Sequence, residues 1–201
     1  MKSMIIIDVQ NDFIPGGPLA VQGGDEIVPV INGLQESFDL VVATQDWHPQ
    51  NHMSFASNQK GKEPFQEGEV GGMKQILWPD HCVQNSEGAE FHPGLETKKI
   101  EAIFRKGMDP EIDSYSAFYD NGHKKSTGLA GYVKEKGASD LYFCGLAADV
   151  CVYFSIKDAL QEGFSATLIE DATRALDNEK FAEMKQELQE KGMNITDSKK
   201  L

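Results

Sequence analysis

The sequence predicts an α/β fold in which an open, mostly parallel β-sheet carries helices on both faces. Short apolar runs rich in β-branched residues alternate along the chain with longer segments of helical period. Nearly continuous apolar runs are typical of parallel strands covered on both sides, and their alternation with helices predicts right-handed crossovers. A length of 201 residues is that of one domain, so we expect a single domain over residues 1–201.

The individual elements follow from the same patterns. Apolar runs predict strands at residues 4–9, 40–44, 100–105, 141–145 and 166–169, with a last short strand beginning at Ile195. Helical periodicity predicts helices over residues 25–37, 127–136, 150–162 and 178–191, the last of them ending at Gly192.

The segment 47–97 interrupts this alternation. It is rich in Gly, Pro, Asn and Gln, and it contains four of the five histidines. A loop this long within a compact domain is usually functional or disordered, and its histidines favour a function. We interpret residues 47–97 as an insertion that binds a metal ion and forms part of a substrate pocket.

The composition argues against two classes of binding partner, nucleic acids and membranes. The 19 basic and 32 acidic residues give a net charge of −13, and no basic block offsets it, so we expect neither nucleic acid nor an anionic membrane surface as a partner. No apolar run approaches the roughly 18 residues of a membrane span. Three cysteines cannot all pair, which favours a reduced, cytoplasmic setting. A small molecule is therefore the expected class of substrate. The composition is also compatible with a homo-oligomer.

Cys151 is the first candidate for a catalytic residue, because it lies at a predicted strand-to-helix transition. Asp149 is a plausible N-cap for that helix. The free N–H groups and the positive dipole end of a helix start favour a thiolate and could hold an oxyanion. Taken alone, the same position suits a buried structural cysteine equally well.

Two further polar residues end predicted strands. Asp8 ends an apolar strand, and Lys106 follows another. Ligands in open α/β sheets bind beyond the carboxyl ends of the strands, so these side chains and Cys151 are expected to converge there. A lysine would then stabilise a thiolate, and a carboxylate would carry protons. Considered separately, each also fits a loop cap or a solvated strand end.

A second group has the composition of a metal site. Asp46 and His48 lie two residues apart at a strand end, which puts both side chains on one side of an extended segment, and His81 follows in the insertion. Two imidazoles and a carboxylate suit Zn²⁺, Fe²⁺ or Mn²⁺. Loop histidines are as often ordinary surface residues. His52 could be a further ligand, a residue that supports the ligands, or neither. Cys82 adjoins His81 and could compete as a ligand, but neighbouring residues seldom both reach one ion.

Six motifs together carry a family resemblance. They are residues 8–13 (DVQNDF), 44–49 (TQDWHP), 51–55 (NHMSF), 78–82 (WPDHC), 106–107 (KG) and 145–151 (GLAADVC). In this order they resemble the nicotinamidase/pyrazinamidase branch of the isochorismatase-like cysteine hydrolases, over residues 4–174. Relatives elsewhere in that superfamily lack the Asp-x-His and later His metal set, which favours this branch.

The resemblance implies both a reaction and its residues. The expected activity is hydrolysis of nicotinamide, and also of pyrazinamide, through a cysteine thioester in NAD salvage. The implied triad is Asp8, Lys106 and Cys151. The family carries a cis peptide before the nucleophile, expected here at Leu146–Ala147, and an oxyanion hole formed by the N–H groups of Ala147 and Cys151.

The resemblance also implies a cofactor and a pocket. One divalent ion, with zinc favoured over iron or manganese, would bind Asp46, His48 and His81. Relatives place pocket aromatics at the positions of Phe13, Trp78 and Tyr115. Because relatives differ in a fourth protein ligand, His52 is left open.

Two alternatives from other classes make different predictions. A non-haem iron oxygenase would use the two histidines and the carboxylate, would consume oxygen and would not need Cys151. A non-catalytic redox sensor would expose Cys151 as a reactive thiol that is alkylated without turning over any amide. The strand–helix alternation and the position of Cys151 count against the oxygenase.

Overall fold

The computed structural model describes residues 1–201 and confirms the predicted fold class. Six strands form one sheet in the order β5-β2-β1-β6-β7-β8, and every neighbouring pair is parallel. Their bounds are β1 Lys2–Ile7, β2 Leu40–Asp46, β5 Ile100–Lys106, β6 Asp140–Gly145, β7 Ser165–Thr173 and β8 Asn194–Thr196.

Four α-helices cover the two faces of this sheet. Their bounds are α1 Ile27–Leu34, α2 Leu129–Glu135, α3 Tyr153–Gln161 and α4 Asn178–Glu190. Alternate residues of β1 point to opposite faces, so Met4 packs in the same core as α1, whereas Ile5 packs in the core that contains α2, α3 and α4. None of the helices has the length and apolar content needed to cross a bilayer.

The insertion contains structure that the sequence patterns did not indicate. An antiparallel hairpin forms from β3 (Glu67–Val70) and β4 (Met73–Ile76). It has a small core of its own, made of Ala56, Val70 and Leu77. The strands are only four residues long and mostly half-exposed, so they lack the long apolar run that marks the central strands.

The transition from β6 to α3 differs from the sequence prediction. A single π-helical turn, Ala148–Val152, precedes α3 and contains Cys151. The prediction that Asp149 caps the helix is wrong, because Asp149 lies inside this turn. Its carboxylate accepts the backbone N–H groups of Leu176 (2.9 Å) and Asp177 (3.1 Å) instead. The hydrogen bonds of Asp149 therefore connect the loop after β7 to the turn that contains the candidate nucleophile.

Gly145 allows β6 to approach β1 at the point where the site begins. It has a φ of +108°, and a Cβ placed on it would lie 2.0 Å from the carbonyl oxygen of Ile7. Ile7 precedes Asp8, so a side chain at position 145 would displace the backbone that presents Asp8. Only glycine satisfies both the backbone conformation and the close approach.

We therefore expect Gly145→Ala to destabilise the protein by about 2–5 kcal/mol, the sum of backbone strain and overpacking. The matched control is Gly163→Ala, where φ is also positive (+84°) but a Cβ meets nothing within 4 Å. That variant should lose only about 1 kcal/mol. Urea denaturation of both variants measures the difference, and equal losses would show that the contact with Ile7 is unimportant.

Candidate active site

A buried lysine connects the predicted catalytic residues. Lys106 is 2 % exposed, and its Nζ lies 2.8 Å from Asp8 Oδ2 and 2.5 Å from Asp46 Oδ1. It also donates to the carbonyl of Ser114 (3.0 Å) and contacts Sγ of Cys151 at 3.4 Å. The structure thus brings Asp8, Lys106 and Cys151 together, and it joins them to the predicted metal group through Asp46.

Asp8 is held in a fixed orientation. Its backbone has a φ of +46°, an unusual conformation that Asp tolerates better than most residues. Thr44 Oγ1 donates to Asp8 Oδ1 at 2.6 Å and accepts the Asp8 backbone N–H at 3.2 Å. Thr44 belongs to the 44–49 motif, but its contact with Asp8 cannot be predicted from the sequence.

The pKa values of the two carboxylates beside Lys106 are shifted in opposite directions. Burial raises the pKa of Asp8 above its ordinary value, and the charge of Lys106 only partly offsets this. Burial also acts on Asp46, but Lys106 and His48 outweigh it and hold the pKa of Asp46 well below its usual range. For Lys106, burial is opposed by Asp46 and Asp8, which keep its pKa well above the ordinary value. Asp8 is therefore the better proton acceptor, and Asp46 stays ionised.

The protonation of Cys151 differs from the sequence prediction. Burial raises the pKa of the Cys151 thiol well above its ordinary value, and Asp8 and Asp46 add to the effect while Lys106 opposes it. A helix start alone does not make this thiol a thiolate. Cys151 is 6 % exposed, and its thiol needs a base at the moment of reaction, which Asp8 can provide.

The predicted metal ligands form one cluster. Nε2 of His48 and Nε2 of His81 lie 3.5 Å and 3.7 Å from Asp46 Oδ2, and all three residues are buried. Each histidine donates its Nδ1–H to a backbone carbonyl, His48 to Gly107 (2.9 Å) and His81 to Pro79 (2.7 Å). Both Nε2 atoms therefore point at Asp46, an arrangement that suits a divalent ion.

His52 lies beside this cluster without joining the same donor group. It is fully buried, its ring centroid is 4.4 Å from that of His48, and its Nε2 has no hydrogen-bond partner. Burial lowers its pKa to about 4, with the charge of His48 adding to the effect, so its ring stays neutral near pH 7. Nδ1 of His52 contacts Ser54 Oγ at 2.7 Å.

Cys82, the neighbour of His81, is not part of any donor group. Its thiol is buried in the apolar core, and this burial raises its pKa well above the ordinary value. Its backbone N–H is held by Asp12 Oδ2 at 2.7 Å. The residue therefore fixes the direction of the chain as it leaves His81.

A narrow, mostly apolar cavity opens onto Cys151. Its walls include all three predicted aromatics, Phe13, Trp78 and Tyr115, together with Ala147. Trp78 Nε1 donates to the Tyr115 hydroxyl at 3.2 Å and thereby joins two walls. The expected cis peptide between Leu146 and Ala147 is present. The apolar and aromatic walls suit an aromatic ring.

The cavity also contains residues that sequence reasoning missed. Besides Asp46 and His81, it is lined by Leu19, Asp113, Val150 and Leu176. Behind it, the buried Gln10 side chain donates to the Asp46 carbonyl (2.8 Å) and accepts the Asp46 N–H (2.8 Å). Gln10 belongs to the 8–13 motif, so the sequence did mark this residue as part of a functional segment. No local pattern marks Asp113.

Comparison with known proteins gives a consistent result. The sequence profile of the isochorismatase domain family matches residues 2–200. The chain is 50 % identical over 175 residues to a nicotinamidase from Acinetobacter baylyi, covering 87 % of this chain and 82 % of that protein.

Solved structures agree with the sequence comparison. A nicotinamidase/pyrazinamidase from Acinetobacter baumanii is 45 % identical, with a TM-score of 0.96 over 99 % of this chain and 97 % of that one. A pyrazinamidase of Pyrococcus horikoshii, solved in complex with zinc, is 34 % identical, with a TM-score of 0.80 over 98 % of both chains.

Gly107 gives a test of the metal cluster. Its carbonyl accepts from His48, and a Cβ placed on it would lie 2.4 Å from the His48 ring. Gly107→Ala should push His48 away from Asp46 and lower the affinity for a divalent ion by tenfold or more. The matched control is Gly61→Ala, because Gly61 has a similar φ (+74° against +67°) and open space around it. Chelator competition measures both affinities, and equal values would show that the contact does not position His48.

Proposed function

Because the chain belongs to the isochorismatase family, within its nicotinamidase branch, we propose that it hydrolyses nicotinamide to nicotinate and ammonia through a cysteine thioester. The observation that supports this most directly is the contact of Lys106 with Asp8 (2.8 Å) and with Cys151 (3.4 Å) at the wall of an apolar cavity. A nucleophile, a base and a charge partner therefore share one small site.

In the first step, Cys151 Sγ attacks the carboxamide carbon while Asp8 accepts the thiol proton. The raised pKa of Asp8 favours this transfer, since it makes the carboxylate a stronger base. The C=O electron pair moves onto the oxygen, and the N–H groups of Ala147 and Cys151 stabilise the resulting oxyanion. In other oxyanion holes, one such donor is worth about 3 kcal/mol of barrier.

In the second step, the tetrahedral intermediate expels the amine. The proton on Asp8 passes to the nitrogen, the C–N bond breaks, and ammonia leaves a thioester on Cys151. Asp8, again a carboxylate, then takes a proton from a water molecule that attacks the thioester carbon. Cleavage of the C–S bond returns the proton on Asp8 to sulfur and releases nicotinic acid. Its carboxyl proton passes to ammonia or to solvent, which gives nicotinate and restores the starting state of the enzyme.

Lys106 stabilises negative charge throughout this cycle. Its ammonium contacts Asp8, Asp46 and Cys151 simultaneously, so the charge that moves from Asp8 to sulfur stays beside the same cation. Burial strengthens each interaction by excluding water. We assign Lys106 this electrostatic role and assign it no proton transfer, since its pKa is held well above the ordinary value.

We propose that Asp46, His48 and His81 hold one zinc ion. The donor types fit zinc, and both histidines are oriented by backbone carbonyls. When bound, the ion would supply a Lewis acid that coordinates the pyridine nitrogen of the substrate and so fixes the ring. Phe13, Trp78 and Tyr115 are proposed to pack on the ring faces and edge, which explains the apolar walls of the cavity.

The cellular location, the pathway and a second substrate are also proposals. All three cysteines are free, which is compatible with the reducing cytoplasm and with a place in NAD salvage. Pyrazinamide, which keeps a ring nitrogen meta to the carboxamide, is expected to be a second substrate.

The reaction is tested by ammonia release from nicotinamide. Cys151→Ala and Asp8→Asn should each reduce kcat by about three powers of ten or more, because each removes a group that makes or breaks bonds. Cys144→Ala is the control, since Cys144 is buried in the core away from the cavity and should retain most activity. A near-normal rate for Cys151→Ala would exclude covalent catalysis by this residue.

The metal assignment is tested by elemental analysis. One divalent ion should be found per chain, and His81→Ala should lose it together with most activity, because His81 provides one of the three donors. His92→Ala is the control, since His92 lies outside every donor group. Full metal content in His81→Ala would show that the ion binds other residues.

A further inference from the structure

Asp113 is a buried carboxylate in the catalytic cavity that the reaction scheme above does not use. It lies on the loop between β5 and α2, is 2 % exposed, and lines the same cavity as Cys151 and Tyr115. Its oxygens accept from two neutral donors, the backbone N–H of Ser114 (2.7 Å) and Nε2 of Gln75 (3.0 Å). These two hydrogen bonds hold the carboxyl group in place at the wall of the cavity.

The charge of Asp113 has no partner within the chain. Asp8 and Asp46 both pair with Lys106, whereas no lysine or arginine pairs with Asp113. An Asp113 oxygen instead lies within 4.8 Å of ring nitrogens of His48 and His52. A buried carboxylate without a counter-ion is costly, so its presence beside the histidines suggests a role.

The charges around the cavity form a simple set. With the three carboxylates of Asp8, Asp46 and Asp113 ionised, Lys106 protonated and the histidines neutral, the group has an excess of two negative charges. One divalent ion held by Asp46, His48 and His81 would neutralise this excess. A neutral carboxamide then enters a site of zero net charge, whereas the carboxylate product adds a negative charge that nothing balances.

We propose that Asp113 is a specificity residue that makes the cavity prefer the neutral amide over the anionic acid and so limits product inhibition. This inference rests on the proposed function, since it takes nicotinamide and nicotinate as substrate and product. Without the charge of Asp113, the metal-loaded cavity would carry one positive charge in excess. It would then retain nicotinate.

The test compares two ligands of nearly the same shape in metal-loaded protein. Nicotinate is anionic, whereas 3-acetylpyridine is neutral, keeps the ring nitrogen and has no amide to hydrolyse. Isothermal titration with each ligand should show that Asp113→Asn binds nicotinate about 10- to 100-fold more tightly, as expected for loss of one nearby buried charge. The affinity for 3-acetylpyridine should change less than about threefold, because a neutral ligand does not sense the charge.

A matched variant separates charge from structure. Gln75→Ala removes the hydrogen bond to Asp113 but keeps the carboxylate, so its ratio of nicotinate to 3-acetylpyridine affinity should equal that of the wild type. A parallel shift of both ligands in Asp113→Asn would overturn the proposal and assign Asp113 a structural role. Loss of the bound metal in Asp113→Asn would also overturn it, since Asp113 would then be a ligand.

Steady-state kinetics provide a second, independent measurement. In Asp113→Asn, the inhibition constant of nicotinate should fall while KM for nicotinamide changes little. Ammonia release by the wild type tests the reaction itself and succeeds or fails regardless of the Asp113 result. A wild type that binds both ligands but releases no ammonia would refute the proposed function and leave the charge selection standing.

Discussion

The site depends on a single buried ammonium. Two carboxylates, a thiol and a carbonyl converge on Lys106, and no other lysine and no arginine pairs with either carboxylate. Removing one partner of a buried ionic group leaves an uncompensated charge, which is far more costly than the loss of a surface pair. The positions of Asp8, Asp46 and Cys151 are therefore mutually dependent, and none can move without exposing the charge of another.

The strand order explains how distant parts of the sequence meet. Residues 8, 46, 106 and 151 follow or end β1, β2, β5 and β6, which are neighbours in the order β5-β2-β1-β6. In the register of the sheet, Asp46 lies directly opposite Lys106. Because all these strands are parallel, their carboxyl ends share one edge. A crevice at that edge is the general location of ligand sites in open α/β sheets.

The sequence was informative wherever a local pattern carries the information. Apolar runs gave the central strands, and the motifs around Asp8, Asp46 and Cys151 gave residues that the structure brings together. It was uninformative about contacts between distant segments. The π-helical turn, the tether from Asp149 to Leu176 and the raised pKa of Cys151 all depend on groups far away in the chain. Asp113 was missed for the same reason, since only the folded loop turns it toward the cavity.

The hydrogen bonds that orient the two histidines limit which mutations can alter the metal site. His48 and His81 are both oriented by main-chain carbonyls, those of Gly107 and Pro79, and not by side chains. A library that randomises polar neighbours therefore has no hydrogen-bonding side chain to remove at these two positions. The orientation responds instead to backbone conformation, which glycine and proline control. Attempts to retune the centre for another metal should therefore begin with loop geometry.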